Sequence, residues 1–477
     1  MVSRSCIVFC VLVFLSLPVN AHEHDDNLTD EEANKPVDAI LWIHIFLQTA
    51  VWGVLFPIGM VLGMSRSRWH VPLQATGLVL TFGGILLGHA HKGRMFLSSA
   101  HGKFANILFI PIFLQLVLGV YLKLHIHEQT LRPYAVRAHG IVGRLYPVFG
   151  WTQMLLGAVA FRGYCRGGHL GQCLAHYIMG SAFIGYGCIL AILFLAGEAW
   201  TRRSGRSPEW WDSWVITAWG AVNTFTEHHG GAWSHKDLQH TSLGIIWWAG
   251  GILGIYLSRN SQRNFVPAAI IFLTGWAMSE HAQALMISTK VHAMFGDTLM
   301  SAAVCRVLEI ILFVPTTAEP NSSYPEAVED DHATLADLSP RFATSPAETS
   351  KVAASRVFRH LTPFLLVASG VLFMSATDEE LEFVAGLEID HVTYVLLMYS
   401  LAFLIYTLIV FLINLYLTLG KVGAVASFAN GGGAEMFNAD GEIELSAPSS
   451  KWYARVPTAD GAARSVPPQH VIGDEED

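Results

Sequence analysis

Charge is scarce in this chain. Only 14% of its 477 residues are Asp, Glu, Lys or Arg, while 52% are hydrophobic. A soluble globular domain carries about 25% charged residues, so this composition points to a protein built in a bilayer. Basic residues are the scarcer kind, and the net charge of −9 gives no basis for a nucleic-acid partner. Six cysteines are too few for a disulfide scaffold. Cys6 and Cys10 lie in the N-terminal apolar run, and Cys188 and Cys305 inside later ones. Only Cys165 and Cys173, which flank the loop GYCRGGHLGQC, are placed to pair, provided that loop is lumenal. No C-x-x-C or H-E-x-x-H spacing occurs, so no compact metal motif can be read.

Long apolar runs fill the rest. MVSRSCIVFCVLVFLSLPVNA has a basic start, a short apolar core and Val19-x-Ala21, so residues 1–21 read as a cleavable signal peptide. The N-terminus that remains would be lumenal, where Asn27-Leu28-Thr29 is a glycosylation acceptor. A transmembrane helix needs about 20 apolar residues, and eleven spans are predicted: 39–64, 69–89, 99–122, 134–161, 174–199, 211–225, 240–257, 265–286, 291–314, 357–376 and 392–419. The fold class is therefore an all-α polytopic bundle. An odd number of spans puts the tail in the cytosol, and Lys and Arg are more numerous on the loops this places there. The domains read as a helical block over 39–199, a His-rich membrane domain over 200–316, an acidic disordered linker over 317–356, a helical pair over 357–420 and a disordered tail over 421–477.

The first four spans share a pattern. AHG, twelve residues, Gln, three residues and Gly occur at Ala100–Gly119 and again at Ala138–Gly157. At 100° per residue, His101, Gln115 and Gly119 fall on one helical face, as do His139, Gln153 and Gly157. The two earlier spans carry His44-x-x-x-Gln48 and His70-x-x-x-Gln74. Spans alternate in direction, so His44 and His101 fall toward the lumen and His70 and His139 toward the cytosol. One such histidine alone is a polar tip in headgroup water, and such glycines serve helix packing. Four with matched spacing and alternating sides suit the two axial positions of two haem irons, with Gly102, Gly119, Gly140 and Gly157 admitting a flat macrocycle.

The segments HIFLQTAVWGVLFPIGMVLG, WHVPLQATGLVLTFGGILLG, HGKFANILFIPIFLQLVLG and HGIVGRLYPVFGWTQMLLG resemble the cytochrome b561 core. Ile45 stands where many members of that family have Gly. The resemblance implies two b-type haems held by His44 with His101 and His70 with His139. It also implies transmembrane electron transfer from a small donor such as ascorbate, with metal or ferric reduction as an outcome. The whole chain, with its His-rich second half, is also similar to the fungal YTP-like family of membrane proteins.

A second histidine set comprises Glu227, His228, His229, His240, Glu280, His281 and His292. Alternation places all of it on the lumenal side. These residues are either ligands of a zinc, copper or iron ion or the polar residues of a hydrated loop with interhelical contacts. Glu280-His281 speaks for ligands, because a bilayer penalises charge within a span. The two functional readings are thus a haem electron-transfer protein and a haem-free metal-binding or metal-transporting one. Arg306 and Glu309, three apart, are expected to pair.

Overall fold

The computed structural model describes residues 28–226, 232–280, 283–312 and 346–429. The expected signal peptide lies outside these residues, as do Glu227, His228, His229 and His281. Among the described residues there are helices and turns but no strand. The chain divides into a compact unit over residues 1–416 and a second over 417–477, and the second contributes only the end of one helix to the described residues.

Each predicted span contains a helix. In chain order these are α1 (Ala39–Met64), α2 (His70–Ala90), α3 (Ala100–Leu124), α4 (Arg132–Arg162), α5 (Leu170–Leu195), α6 (Pro208–Thr226), α7 (His235–Leu257), α8 (Val266–Ser279), α9 (Met286–Leu312) and α10 (Pro346–Met374). A short helix, α11 (Asp378–Gly386), precedes α12 (His391–Ala429). Seven are long and apolar enough to cross a membrane: α1, α2, α3, α5, α7, α10 and α12. The others fall short for visible reasons. Helix α8 has 14 residues, α4 carries Arg132, Arg137, Arg144 and Arg162, α6 carries Glu209 and Asp212, and α9 carries Lys290, Asp297, Arg306 and Glu309. Rows of exposed apolar side chains, such as Ile107, Ile110 and Leu114 on α3 and Leu396, Leu397 and Leu404 on α12, suit contact with lipid.

The linker expected over 317–356 is helical from Pro346, and the tail expected from 421 is helical to Ala429. The first result follows from composition. Pro at the first helical position is followed by Ala, Glu, Lys and Arg, which are good helix formers, and the Pro/Ser/Thr content upstream masked that signal.

Helix α1 is not uniform. Its Val51–Leu55 turn is a π-helix, in which the Phe56 N–H bonds back to the Val51 carbonyl. Pro57 follows and cannot donate to the carbonyl four residues earlier, so the ladder widens by one residue here. The widened turn buries Val51 and Trp52. Trp52 stacks on Tyr146 of α4 at 5.4 Å and meets Phe56 edge-on at 4.9 Å.

The first four helices form two antiparallel hairpins, α1 with α2 and α3 with α4. Close backbone approach between the hairpins is concentrated at the π-turn and the middle of α4. There Val51, Trp52, Phe56, Leu108, Ile112 and Tyr146 make a buried plug. Helices α5, α8, α9 and α10 build a separate core around Phe295, Leu299 and Leu366. Helices α5 and α10 pack most closely at Gly180 and Gly370, where an added methyl on either would lie within 2.6 Å of the other's carbonyl oxygen.

The contacts sort the loops onto two ends, as alternating spans require. At one end Asp38 caps α1 through the Leu41 N–H and also accepts from the Lys92 N–H. The Lys92 and Leu41 N–H groups hold its carboxyl below the usual carboxylate range. At this end Arg166 donates to the Ser98 carbonyl, Cys165 is disulfide-bonded to Cys173, and the Cys165 N–H donates to the Glu379 carboxylate at 2.8 Å.

At the other end a buried ion network ties three helices and a loop. Arg306 pairs with Glu309 as expected, and also with Glu209 at 2.6 Å and Asp212 at 3.5 Å. Arg263 bridges Glu209 at 2.8 Å and Glu309 at 2.7 Å, and Arg359 approaches Glu309 at 3.9 Å. Buried charge is tolerated only when paired, and here guanidinium forks face every carboxylate.

Candidate functional site

Each hairpin seats its own histidines, and both hairpins use one device. His44 near the start of α1 donates from Nδ1 to the Gly84 carbonyl of α2 at 2.6 Å. His70 at the start of α2 donates from Nδ1 to the Gly59 carbonyl of α1 at 2.7 Å. Four residues on, Gln48 donates to the Thr81 carbonyl at 3.0 Å and Gln74 to the Phe56 carbonyl at 3.5 Å. In the second hairpin His101 of α3 donates from Nδ1 to the Gln153 carbonyl of α4 at 3.2 Å. Gln153 returns a bond to the His101 carbonyl at 3.2 Å, and Gln115 donates to the His139 carbonyl at 3.1 Å. The His139 Nδ1 is buried without a partner.

Glycines make room for the rings. A methyl at Gly88 would lie 2.7 Å from His44 Nδ1, and one at Gly63 would lie 2.8 Å from His70. Gly157 faces His101 at 3.2 Å and Gly119 faces His139 at 3.6 Å. The stripe of His, Gln and Gly is therefore an interhelical latch. Gly119 and Gly157 do not border open space, as expected for glycines that admit a macrocycle; the neighbouring imidazole fills it. Gly102 and Gly140, next to His101 and His139, have nothing within 4 Å.

Across the hairpins the rings meet in two pairs. His44 and His101 have ring centroids 6.4 Å apart with planes at 90°. His70 and His139 are 6.2 Å apart at 87°. A backbone carbonyl can only accept, so Nδ1 of His44, His70 and His101 carries the proton and Nε2 keeps a lone pair. That is the arrangement of metal-ligating imidazoles. An imidazole nitrogen binds a first-row metal at about 2.0–2.1 Å, with the ring centroid about 1.1 Å behind it. Two axial imidazoles on one iron therefore put their centroids about 6.3 Å apart. Both pairs fit that spacing. The aromatic plug separates the two levels. Beside the seat of His44, Leu47, Val79, Leu80, Gly83, Leu86, Leu87 and Ala90 line an apolar groove of about 470 Å³.

Of the second histidine set, His240, Glu280 and His292 lie among the described residues. Helix α8 ends at Ser279, so Glu280 is an exposed C-cap rather than a charge held within a span. His240 lies near the start of α7, where its carbonyl accepts from Asn223. His292 is buried in α9, 4% exposed, and faces His176 of α5, which is 8% exposed. His176 is missing from the sequence reading because nothing local to it marks a partner.

The family described as Protein YTP1-like, C-terminal, matches residues 149–417, and a domain of unknown function (DUF2427) matches residues 24–125. Protein YTP1 of Saccharomyces cerevisiae is 45% identical over 276 residues, which is 57% of this chain and 53% of that protein. An uncharacterized membrane protein of Schizosaccharomyces pombe is 31% identical over 235 residues, 39% of this chain and 46% of its own. Another uncharacterized membrane protein of Saccharomyces cerevisiae is 26% identical over 294 residues, 50% and 41% respectively. The chain spans about half the length of these relatives. No solved structure matches it.

Proposed function

The chain is a membrane protein that belongs to the YTP1-like family, and from that premise we propose that its first four helices are a cytochrome b561-like electron conduit holding two b-type haems. The observation that carries this reading is the pair of matched separations, 6.4 Å for His44–His101 and 6.2 Å for His70–His139. His44 and His101 would supply the axial nitrogens at one level, and His70 and His139 those at the other. Haem iron, when bound, supplies a one-electron carrier.

This chain's own residues do the rest. Carbonyls of Gly84, Gly59 and Gln153 hold three Nδ1 protons, which fixes the tautomer and aims Nε2 away from the partner helix. Gly88, Gly63, Gly157 and Gly119 let each ring sit between helices. Trp52, Phe56 and Tyr146 exclude water between the levels. Such a protein is a transmembrane oxidoreductase of the secretory pathway or plasma membrane. His44 and His101 would lie at its lumenal face, and a small donor such as ascorbate would reduce one level.

The test is the absorbance of the purified full chain. A Soret band and an α-band that sharpen with dithionite, with two haems per chain by pyridine haemochrome, are expected. A colourless protein that copurifies with zinc or copper would replace this reading with the haem-free metal-binding one.

A further inference from the structure

The Cys165–Cys173 disulfide has a carboxylate for a neighbour. Cys165 lies in the loop after α4, Cys173 in the first turn of α5 and Glu379 in the first turn of α11. The two Sγ atoms and a Glu379 carboxylate oxygen all lie within 4.8 Å of one another. Cys173 is fully buried, and Cys165 and Glu379 are half-buried. Glu380 pairs with Arg162 at 3.2 Å. Glu379 accepts from the Cys165 N–H at 2.8 Å but makes no ion pair among the described residues. A disulfide is neutral and gains nothing from an anion beside it, whereas a partly buried carboxylate without a cation is costly. Two thiolates and a carboxylate around one point would be a donor set that calls for a cation.

The cage does not depend on the S–S bond. Arg162 at the end of α4 holds Glu380, and its guanidinium lies over the Phe383 ring of α11 at 3.7 Å. Thr377 caps α11 through the Glu380 N–H at 3.3 Å. These contacts keep Glu379 beside the α4–α5 loop when the sulfurs part. The Cα atoms of the two cysteines are 5.3 Å apart. Thiolates lie about 2.3 Å from a zinc ion, so two of them on one tetrahedron sit about 3.8 Å apart. Side-chain rotation reaches that separation from this backbone.

We propose that Cys165, Cys173 and Glu379 form a redox-gated site for a divalent cation of the zinc class, closed while the disulfide is intact and open once a small dithiol reduces it. A thiolate of the reductant attacks Sγ of Cys165, the more exposed cysteine, the S–S bond breaks, and Cys173 leaves as a thiolate. The reductant's second thiolate then attacks the mixed disulfide, which frees Cys165 and closes the reductant's own disulfide. Two electrons and two protons have passed to the chain. Both thiols give up their protons to solvent on binding the ion, Glu379 supplies the third donor, and water completes the tetrahedron. The site shares no residue with the histidines of α1–α4 and does not rest on their binding haem.

The experiment uses the full chain in detergent, stripped with EDTA and divided in two. One portion stays oxidised. The other is reduced with a phosphine, which opens disulfides without supplying thiolates of its own. Each is loaded with Zn²⁺ alone. Elemental mass spectrometry should find one more zinc per chain in the reduced portion, and X-ray absorption at the zinc edge should show two sulfurs at about 2.3 Å there. Cys165→Ser with Cys173→Ser should abolish the increment, although Cys188 and Cys305 remain. Glu379→Gln keeps the disulfide but should weaken zinc binding in the reduced chain by about tenfold or more. Equal zinc in the two portions overturns the inference, as does a zinc edge without sulfur or a Glu379→Gln chain that binds as the parent does. The two portions of the parent chain decide the matter even where the Ser variants do not fold. None of these readouts is a haem signal, so the two proposals fail separately.

Discussion

His44 rests against the bare backbone of Gly88, so close that a single methyl on that glycine would stand 2.7 Å from its Nδ1. Gly88→Ala should therefore displace His44 and halve the haem content. Gly63→Ala should do the same through His70. Haem per chain by pyridine haemochrome is the readout, and full occupancy in both variants would show that the seats are not needed.

Removing ligands should be selective by level. His44→Ala or His101→Ala should cost one haem and leave the other, and His70→Ala or His139→Ala should spare the opposite one, since each iron loses one of two axial ligands. Redox titration would resolve which potential disappears. Ala variants of His89, His91, His125 and His127, which lie outside the matched stripe, should keep both. Four ligand variants with normal spectra sink the assignment.

Trp52→Ala should loosen both levels together. It deletes the stack on Tyr146 and opens a void in the plug between the hairpins. Large-to-small changes of this kind cost about 3–5 kcal/mol in a core. Thermal denaturation in detergent should show one earlier transition, with both haems lost in step. Loss of a single haem would contradict the plug's place between the two.

Arg306→Met should be among the most destabilising single changes in the C-terminal half. Glu209, Asp212 and Glu309 would lose their shared buried cation, a loss of about 3–5 kcal/mol for a broken buried pair. Arg306→Lys should recover little, because one ammonium cannot replace a fork that reaches three carboxylates. Detergent melting curves compare the three proteins, and a Lys variant as stable as the parent would argue against the forked geometry.

A glycosylation reporter fused after Asp477 should stay unmodified, while Cys165 and Cys173 should resist thiol reagents until reduced. Disulfides persist in oxidising compartments, so the two results together fix which end of the bundle faces the lumen. A modified reporter would invert every side assigned here.

Much of the N-terminal site was legible because two periodicities agree. The 100° advance put His, Gln and Gly on one face, and alternating span direction paired His44 with His101 and His70 with His139, the pairs the structure brings within 6.4 Å and 6.2 Å. A helical face does not say what lies opposite it, and two of the four glycines differ from expectation. Gly119 and Gly157 face histidines of the neighbouring helix. His176 was one histidine among 22, and its partner His292 lies 116 residues away. The Glu209–Arg306 contact spans 97 residues. Such separations carry no period, so tertiary packing alone reveals them. The helix from Pro346 was missed because the disordering composition upstream was extended too far.

The latches within α1 and α2 sit at opposite ends of one hairpin, His44 on Gly84 and Gly88, and His70 on Gly59 and Gly63. A slip of one residue between the two rods would shift them by about 1.5 Å. That shift would unseat both rings at once, because the two seats are read against each other like the opposed scales of a vernier. No drift of α1 along α2 can improve one level at the expense of the other, so the hairpin carries its own gauge of depth and hands it to both faces of the membrane.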